Sequence, residues 1–236
     1  MRYEEREEAV WLTFDRPEKA NALAPETLDE FEKLLGRAED DDVRAVVLTG
    51  AGEKFSAGAD VDALAAADED EARGFAESLA EVLRRIETLE IPVIAAVNGD
   101  AYGAGFETVV ASDLAVAVED ARHCLPATHL GLTPPLTPER VEAVGGRKRA
   151  SEIALTGEPI DAETAESWGV VNRAVSADEL EDTVEGFVTS IAKADREATR
   201  VTKERIVSAD ETTDNTTTER FASDEARDRF RDASER

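Results

Sequence analysis

The chain has 236 residues, 42% of them hydrophobic, which is enough for one substantial core or for one domain with a small appendage. Its 54 acidic side chains against 27 basic ones leave a net charge of −27, a field that repels nucleic acid and anionic membrane. No apolar run reaches the length of a bilayer span, and Met1 to Glu8 lacks the apolar centre of a signal peptide. The single cysteine, Cys124, excludes an internal disulfide, so a cytoplasmic protein is expected. The acids are spread along the chain and arginine outnumbers lysine, which reads as adaptation to a high-salt cytoplasm where self-repulsion is screened.

In chain order, Ala9 to Phe14 alternates as a strand does and is broken at Arg16-Pro17-Glu18-Lys19. Ala24-Pro25-Glu26 opens a helix to about Arg37, with Leu28, Phe31, Leu34 and Leu35 on one face. Val43 to Thr49 is a β-branched apolar run, hence a buried strand, and glycine-bearing loops follow it at residues 50–52 and 55–60. Asp68 to Glu90 carries Phe75, Leu79, Val82, Leu83 and Ile86 at helical spacing. Val93 to Val97, bounded by Pro92 and Asn98-Gly99, predicts a second buried strand. Gly103-Ala104-Gly105 then bends the backbone into a helix starting near Phe106, and Leu114 to Val118 is a further strand.

This order gives right-handed crossovers and a largely parallel sheet, with ligands bound beyond the carboxyl ends of the strands. Both glycine-bearing loops follow strands, so both can face one cleft. Past Leu125 the character changes. Leu132 to Pro138 holds three prolines and reads as irregular, and short helices are expected at Glu139–Val144, Arg149–Leu155 and Ala162–Trp168. Val170 to Val175 is extended, helices follow at about Asp178–Ala194 and Glu197–Val207, and a polar stretch leads to a last helix near Phe221–Arg231.

The start of the helix after Gly103 offers unpaired N–H groups to an anion, with Glu107 one turn in. From the residues alone Glu107 is equally a catalytic acid or a carboxylate complementing the helix start. The missing third glycine and two preceding strands argue against a dinucleotide fingerprint. Lys54 replaces the first glycine of a nucleophile elbow, which leaves Ser56 as a loop residue. His123, His129 and Cys124 lack an acidic partner at metal-ligand spacing, so no metal is expected.

Taken together, Arg16 to Leu23 (Arg-Pro-Glu-Lys-Ala-Asn-Ala-Leu), Phe55 to Asp60, Ala96-Val97-Asn98-Gly99 with Gly103 to Glu107, and Leu155 to Ile160 through Trp168 to Arg173 resemble the enoyl-CoA hydratase/isomerase (crotonase) superfamily. The resemblance runs from about Val10 to Val175. It implies an α/β fold, a ββα spiral core with largely parallel sheets over residues 1–175, and a C-terminal helical oligomerisation region over residues 176–236. It also implies an acyl-CoA thioester as substrate, no cofactor beyond the coenzyme A that the substrate carries, and a homotrimer or dimer of trimers. By motif position the backbone amides of Ala59 and Ala104 would form the oxyanion hole for the thioester. Lys19, Ala20, Ala22, Leu23, Asp60, Val61 and Asp62 would line the CoA groove, with Arg16, Lys19 and Lys54 as phosphate contacts. Glu107 matches the first of two glutamates used by hydratases of this family, but Ala127 stands where the second belongs. The glycine-rich turn expected after Gly131 is replaced by the shorter Thr133 to Pro138. Hydration or dehydration of a 2-enoyl-CoA by Glu107 is the first expectation. Isomerisation, decarboxylation or thioester hydrolysis is the second, and CoA-ester binding without hydratase chemistry the third.

Overall fold

The computed structural model describes residues 1–135 and 137–208. The chain opens with strands β1 (Arg2–Arg6) and β2 (Ala9–Phe14) and a 3-10 turn at Pro17–Lys19. Helix α1 (Pro25–Asp40) starts with proline where a missing N–H costs nothing, and leads to β3 (Ala45–Gly50). A short α2 (Val61–Ala66) precedes the long α3 (Glu69–Thr88), whose entry is a capping box between Asp68 and Glu71. Then come β4 (Val93–Val97), β5 (Ala101–Tyr102), α4 (Ala104–Ala111), β6 (Leu114–Val118) and β7 (Arg122–Cys124). After a 3-10 turn at Pro126–Leu130 the chain continues through α5 (Thr137–Gly145), α6 (Arg147–Thr156), β8 (Ile160–Asp161), α7 (Ala162–Trp168), β9 (Arg173–Val175), α8 (Leu180–Ala192) and α9 (Arg196–Ser208).

Six strands form one sheet in the order β1-β2-β3-β4-β6-β9, parallel throughout except for the antiparallel β1–β2 pair. The central strands are buried on both faces, so they read as continuous apolar runs. Helices α1 and α3 cover the sheet with the faces expected of them: Leu28, Phe31 and Leu35 from α1, and Phe75, Leu79, Val82, Leu83 and Ile86 from α3, are all buried. Each such side chain gains ~1.5–3 kcal/mol over an exposed position. Phe14 joins them at the core's centre, edge-on to both Phe31 and Phe55. A second sheet, β5-β7-β8, is small and mixed.

Two elements were not anticipated and one expectation needs correction. β1 was not anticipated, because its residues Arg-Tyr-Glu-Glu-Arg are mostly exposed and polar, and the contacts that hold it, backbone pairing with β2 and links such as Tyr3 to Asp41 and Arg6 to Glu181, reach distant parts of the chain. Between the expected loop at 55–60 and the expected helix from Asp68, the residues after Asp60 form α2, with Asp60 as the N-cap. The Leu132–Pro138 segment is not irregular to its end: Thr137 and Pro138 already belong to α5, since proline is tolerated in a first turn. The expected helix near Phe221–Arg231 lies outside the described residues, as does the polar stretch beyond Ser208.

Helix α8 packs on β3, β4 and β6, burying Val184 and Val188, and Arg44 donates to the carbonyls of Ile191, Ala192 and Ala194 at its end. Helix α9 is fixed by one buried side chain. Lys203 Nζ donates to the carbonyls of Ile86 (3.1 Å) and Ile91 (3.0 Å) and pairs with Asp113 at 2.7 Å.

Candidate active site

Beyond the carboxyl ends of β3 and β4 the chain makes two loops, and the structure brings them into contact. The first, residues 55–60, is fastened by Asn21. Its side-chain amide donates to the carbonyls of Ala51 (2.9 Å) and Lys54 (2.7 Å), while its own carbonyl accepts from Ser56 Oγ at 2.9 Å. Ala20 and Asn21 both sit in the left-handed region, at φ 49° and 58°. That strain persists because the surrounding bonds over-determine the backbone. The second loop, residues 98–103, is tied back to the first where the N–H of Tyr102 donates to Ser56 O at 2.9 Å.

Glycine is required where the loops meet. A Cβ on Gly58, at φ +91°, would lie 2.5 Å from Tyr102 O and 3.0 Å from Ala104 N. A Cβ on Gly105 would lie 2.6–2.9 Å from Ser56 atoms. Only bare backbone permits this approach.

The two amides singled out from sequence are oriented by this packing. Leu23 pairs with Ala59 in a parallel bridge, donating to Gly58 O (2.7 Å) and accepting from Asp60 N (2.8 Å). In that geometry the Ala59 N–H points away from Leu23. Ala104 is the first residue of α4, and the helix's first backbone bond runs from Glu107 N to Gly103 O at 2.9 Å. The Ala104 N–H is therefore one of the helix's unpaired donors. Among the described residues neither amide donates to a protein acceptor.

Glu107 lies three residues on and is buried, with 5% of its surface exposed. Burial pushes its carboxyl up to about 7, against a smaller downward pull from the Thr137 hydroxyl, which donates to Oε1 at 3.3 Å. Among the described residues no charged side chain shifts its ionisation. Near neutral pH this carboxyl can both take up and give up a proton. Ala127, half-buried in the 3-10 turn of Pro126–Leu130, presents no acid.

The remaining residues expected at the groove divide into two groups. Lys19 and Asp62 pair at 2.5 Å on the surface, beside the 60%-exposed Val61. Ala22 and Leu23 turn their side chains into the protein and offer backbone instead. Asp60 is committed within the protein. It pairs with Arg16 at 2.9 Å and caps α2 through Ala63 N. Burial pushes its carboxyl up, but the Arg16 and Ala63 bonds outweigh that and hold it below the usual range. Arg16 is further bound to Ala22 O, and Lys54 to Asp100 at 2.5 Å. Of the three proposed phosphate contacts, Lys19 and Lys54 are exposed and Arg16 is not free.

Compared with known proteins, residues 4–233 match the family model described as enoyl-CoA hydratase/isomerase. The chain belongs to the enoyl-CoA hydratase/isomerase family. It is 38% identical over 198 residues to the short-chain-enoyl-CoA hydratase of Clostridium acetobutylicum, covering 83% of this chain and 76% of that one. To the carnitinyl-CoA dehydratase of Escherichia coli it is 42% identical over 177 residues, spanning 72% of this chain and 66% of the relative's length. The crystal structure of the enoyl-CoA hydratase from Bacillus anthracis superposes with a TM-score of 0.84 at 33% identity, covering 87% of this chain and 81% of that one.

In this member of the enoyl-CoA hydratase/isomerase family, the contacts of three residues at the site were not legible in the sequence. Asn21 was legible only as part of a motif, with no sign that it fastens the Ala59 loop. Thr137 stands 30 positions from its partner and carries no local signal. His123 is fully buried, with no hydrogen-bond partner for either ring nitrogen among the described residues, and it meets Phe106 edge-on at a centroid distance of 5.7 Å. Burial pushes its imidazole down to about 4, so the ring is neutral. His129 is exposed beside Gly157.

Proposed function

We propose that the chain catalyses reversible hydration of a 2-enoyl-CoA, with Glu107 as the single acid/base and the amides of Ala59 and Ala104 as the oxyanion hole. Glu107 removes one proton from water as the water oxygen bonds to C3 of the enoyl group. The electron pair of the C2=C3 bond moves onto the thioester oxygen, and the two amides stabilise that enolate. Donors of this kind are worth ~3 kcal/mol each when developing charge meets them in a dry site. Glu107 then returns the proton to C2, so H and OH add on one face and the carboxylate is regenerated. The observation that carries the reading is a buried carboxyl, poised near 7, one turn beyond an unpaired helix-start amide. The coenzyme A moiety would lie along Lys19 to Leu23 and Asp60 to Asp62, its phosphates drawing on Lys19 and Lys54.

Purified protein incubated with crotonyl-CoA in high KCl should deplete the conjugated-thioester absorbance. Loss of that activity in Glu107→Gln is expected, and undiminished turnover in that variant would remove Glu107 from its role. Ala127 favours a second reading, in which the same enolate is formed but resolved by isomerisation, decarboxylation or thioester hydrolysis. CoA-ester binding without turnover would instead mark a protein that kept the scaffold alone. The remaining features of the proposal are a homotrimer or dimer of trimers, with residues 176–236 packing between subunits, in a high-salt cytoplasm. Support for the last is the net charge of −27.

A further inference from the structure

A single acid that acts twice per turnover must present the same oxygen to the substrate each time. Glu107 has two carboxyl oxygens, and the structure treats them differently. Oε1 accepts from Thr137 Oγ1, and both residues are almost fully buried, at 5% and 1% exposure. Thr137 is the first residue of α5, and α5 is fixed on either side of the next turn. Arg140 grips the buried Glu87 of α3 through two bonds, from Nε to Oε1 and from Nη2 to Oε2 at 3.0 Å. Val141, one turn beyond Thr137, is wholly buried.

We infer that Thr137 is a positioning residue for the reaction: its hydroxyl marks Oε1 of Glu107 as the permanent acceptor and leaves Oε2 as the oxygen that exchanges the proton. The inference rests on Glu107 being the acid/base. When the carboxyl is neutral its carbonyl oxygen is the better acceptor, so a donor fixed on Oε1 keeps the proton on Oε2. When it is ionised the same bond persists and strengthens, because the acceptor is then charged. The Thr137 proton never leaves its oxygen, and the transferred proton passes from water to Oε2 and from Oε2 to carbon. Arg140 and Glu87 hold the segment that carries Thr137, and each satisfies the other rather than Glu107. The imidazole of His123, packed against Phe106 beside Glu107, is neutral and adds no charge. Among the described residues only Thr137 opposes the effect of burial on Glu107.

The test compares Thr137→Val and Thr137→Ser in the pH dependence of kcat/KM for crotonyl-CoA hydration. Valine should move the acid limb of the profile up by about one pH unit, with a roughly tenfold loss on that limb, and serine should restore it. Thr137→Ala replaces the valine variant if the latter fails to fold. Without any substrate, infrared difference spectroscopy of the Glu107 carboxyl, identified by its loss in Glu107→Gln, reads the same titration. An unmoved limb and an unmoved carboxyl titration in the valine or alanine variant would overturn the inference. That outcome is distinct from failure of the acid/base reading, which would appear as full turnover in Glu107→Gln.

Discussion

Replacing Glu107 by glutamine should stabilise the protein at alkaline pH and leave it unchanged in acid. The carboxyl is raised from 4.5 to about 7 by burial, so the folded state binds its proton more tightly than the unfolded chain does. The stability this confers is fully present below pH 4.5 and is lost as pH rises through 7. At 1.36 kcal/mol per unit, the loss amounts to about 3 kcal/mol once both states are ionised. Glutamine is nearly isosteric, keeps an acceptor for Thr137, and never ionises. Urea denaturation of both proteins in the same KCl should therefore give superimposable curves at about pH 4.5, and a gap of about 3 kcal/mol in favour of glutamine at about pH 8.5. All other titrations are shared and cancel in the difference. A gap that does not change with pH, or one that favours glutamate at high pH, would show that Glu107 is not the buried, unpaired carboxyl described above.

Lys203→Met should cost about 3–5 kcal/mol, since it removes the cation from a buried pair and leaves Asp113 uncompensated. In thermal unfolding this is on the order of a 10 °C drop, and a drop below a few degrees would mean that α9 does not depend on that contact. Gly58→Ala should separate the two loops, because its Cβ would lie 2.5 Å from Tyr102 O in a backbone conformation that side chains avoid. Loss of one oxyanion donor predicts a roughly hundredfold fall in kcat on crotonyl-CoA with far-UV circular dichroism unchanged. Raising KCl from about 0.1 M to about 1 M shortens the screening length from ~10 Å to ~3 Å and should raise the urea midpoint of a chain carrying −27. A midpoint that falls with KCl would remove the high-salt reading.

The parallel strands were legible because burial on both faces leaves an apolar run with no alternation to misread, as in Val93–Val97. The edge strand Arg2–Arg6 was not, because its sequence is mostly charged and its partners, β2 by backbone and Asp41 and Glu181 by side chain, leave no local pattern. The short strands β5, β7 and β8 escaped for a related reason. Two or three residues hold too little pattern to register, and they pair only because neighbouring loops have already met. For the site, glycine-bearing loops after successive strands were enough to anticipate that residues 55–60 and 98–103 come together, as the Ser56–Ala101 bridge shows. The side-chain partnerships were hidden, since Thr137 with Glu107 and Arg16 with Asp60 join residues 30 and 44 positions apart. Sequence spacing carries no record of such pairs.

The charge balance and the site chemistry are connected through those partnerships. Every cation placed near the groove already has a carboxylate: Arg16 has Asp60, Lys19 has Asp62 and Lys54 has Asp100. In an acidic chain a phosphate must therefore compete with the protein's own acids. The Arg16 pair is largely buried and holds the loop that carries Ala59, so exchanging it would disturb the oxyanion hole. The Lys19 and Lys54 pairs are exposed, contribute little, and are weakened further by salt. A phosphate can take either lysine without disturbing the fold. The proposed oxyanion hole would use backbone amides, whose donors depend on loop geometry and not on the ionic atmosphere. Under the proposed function, docking of the charged part of a substrate is thus left to exchangeable surface pairs, while the chemical step rests on groups that salt does not reach.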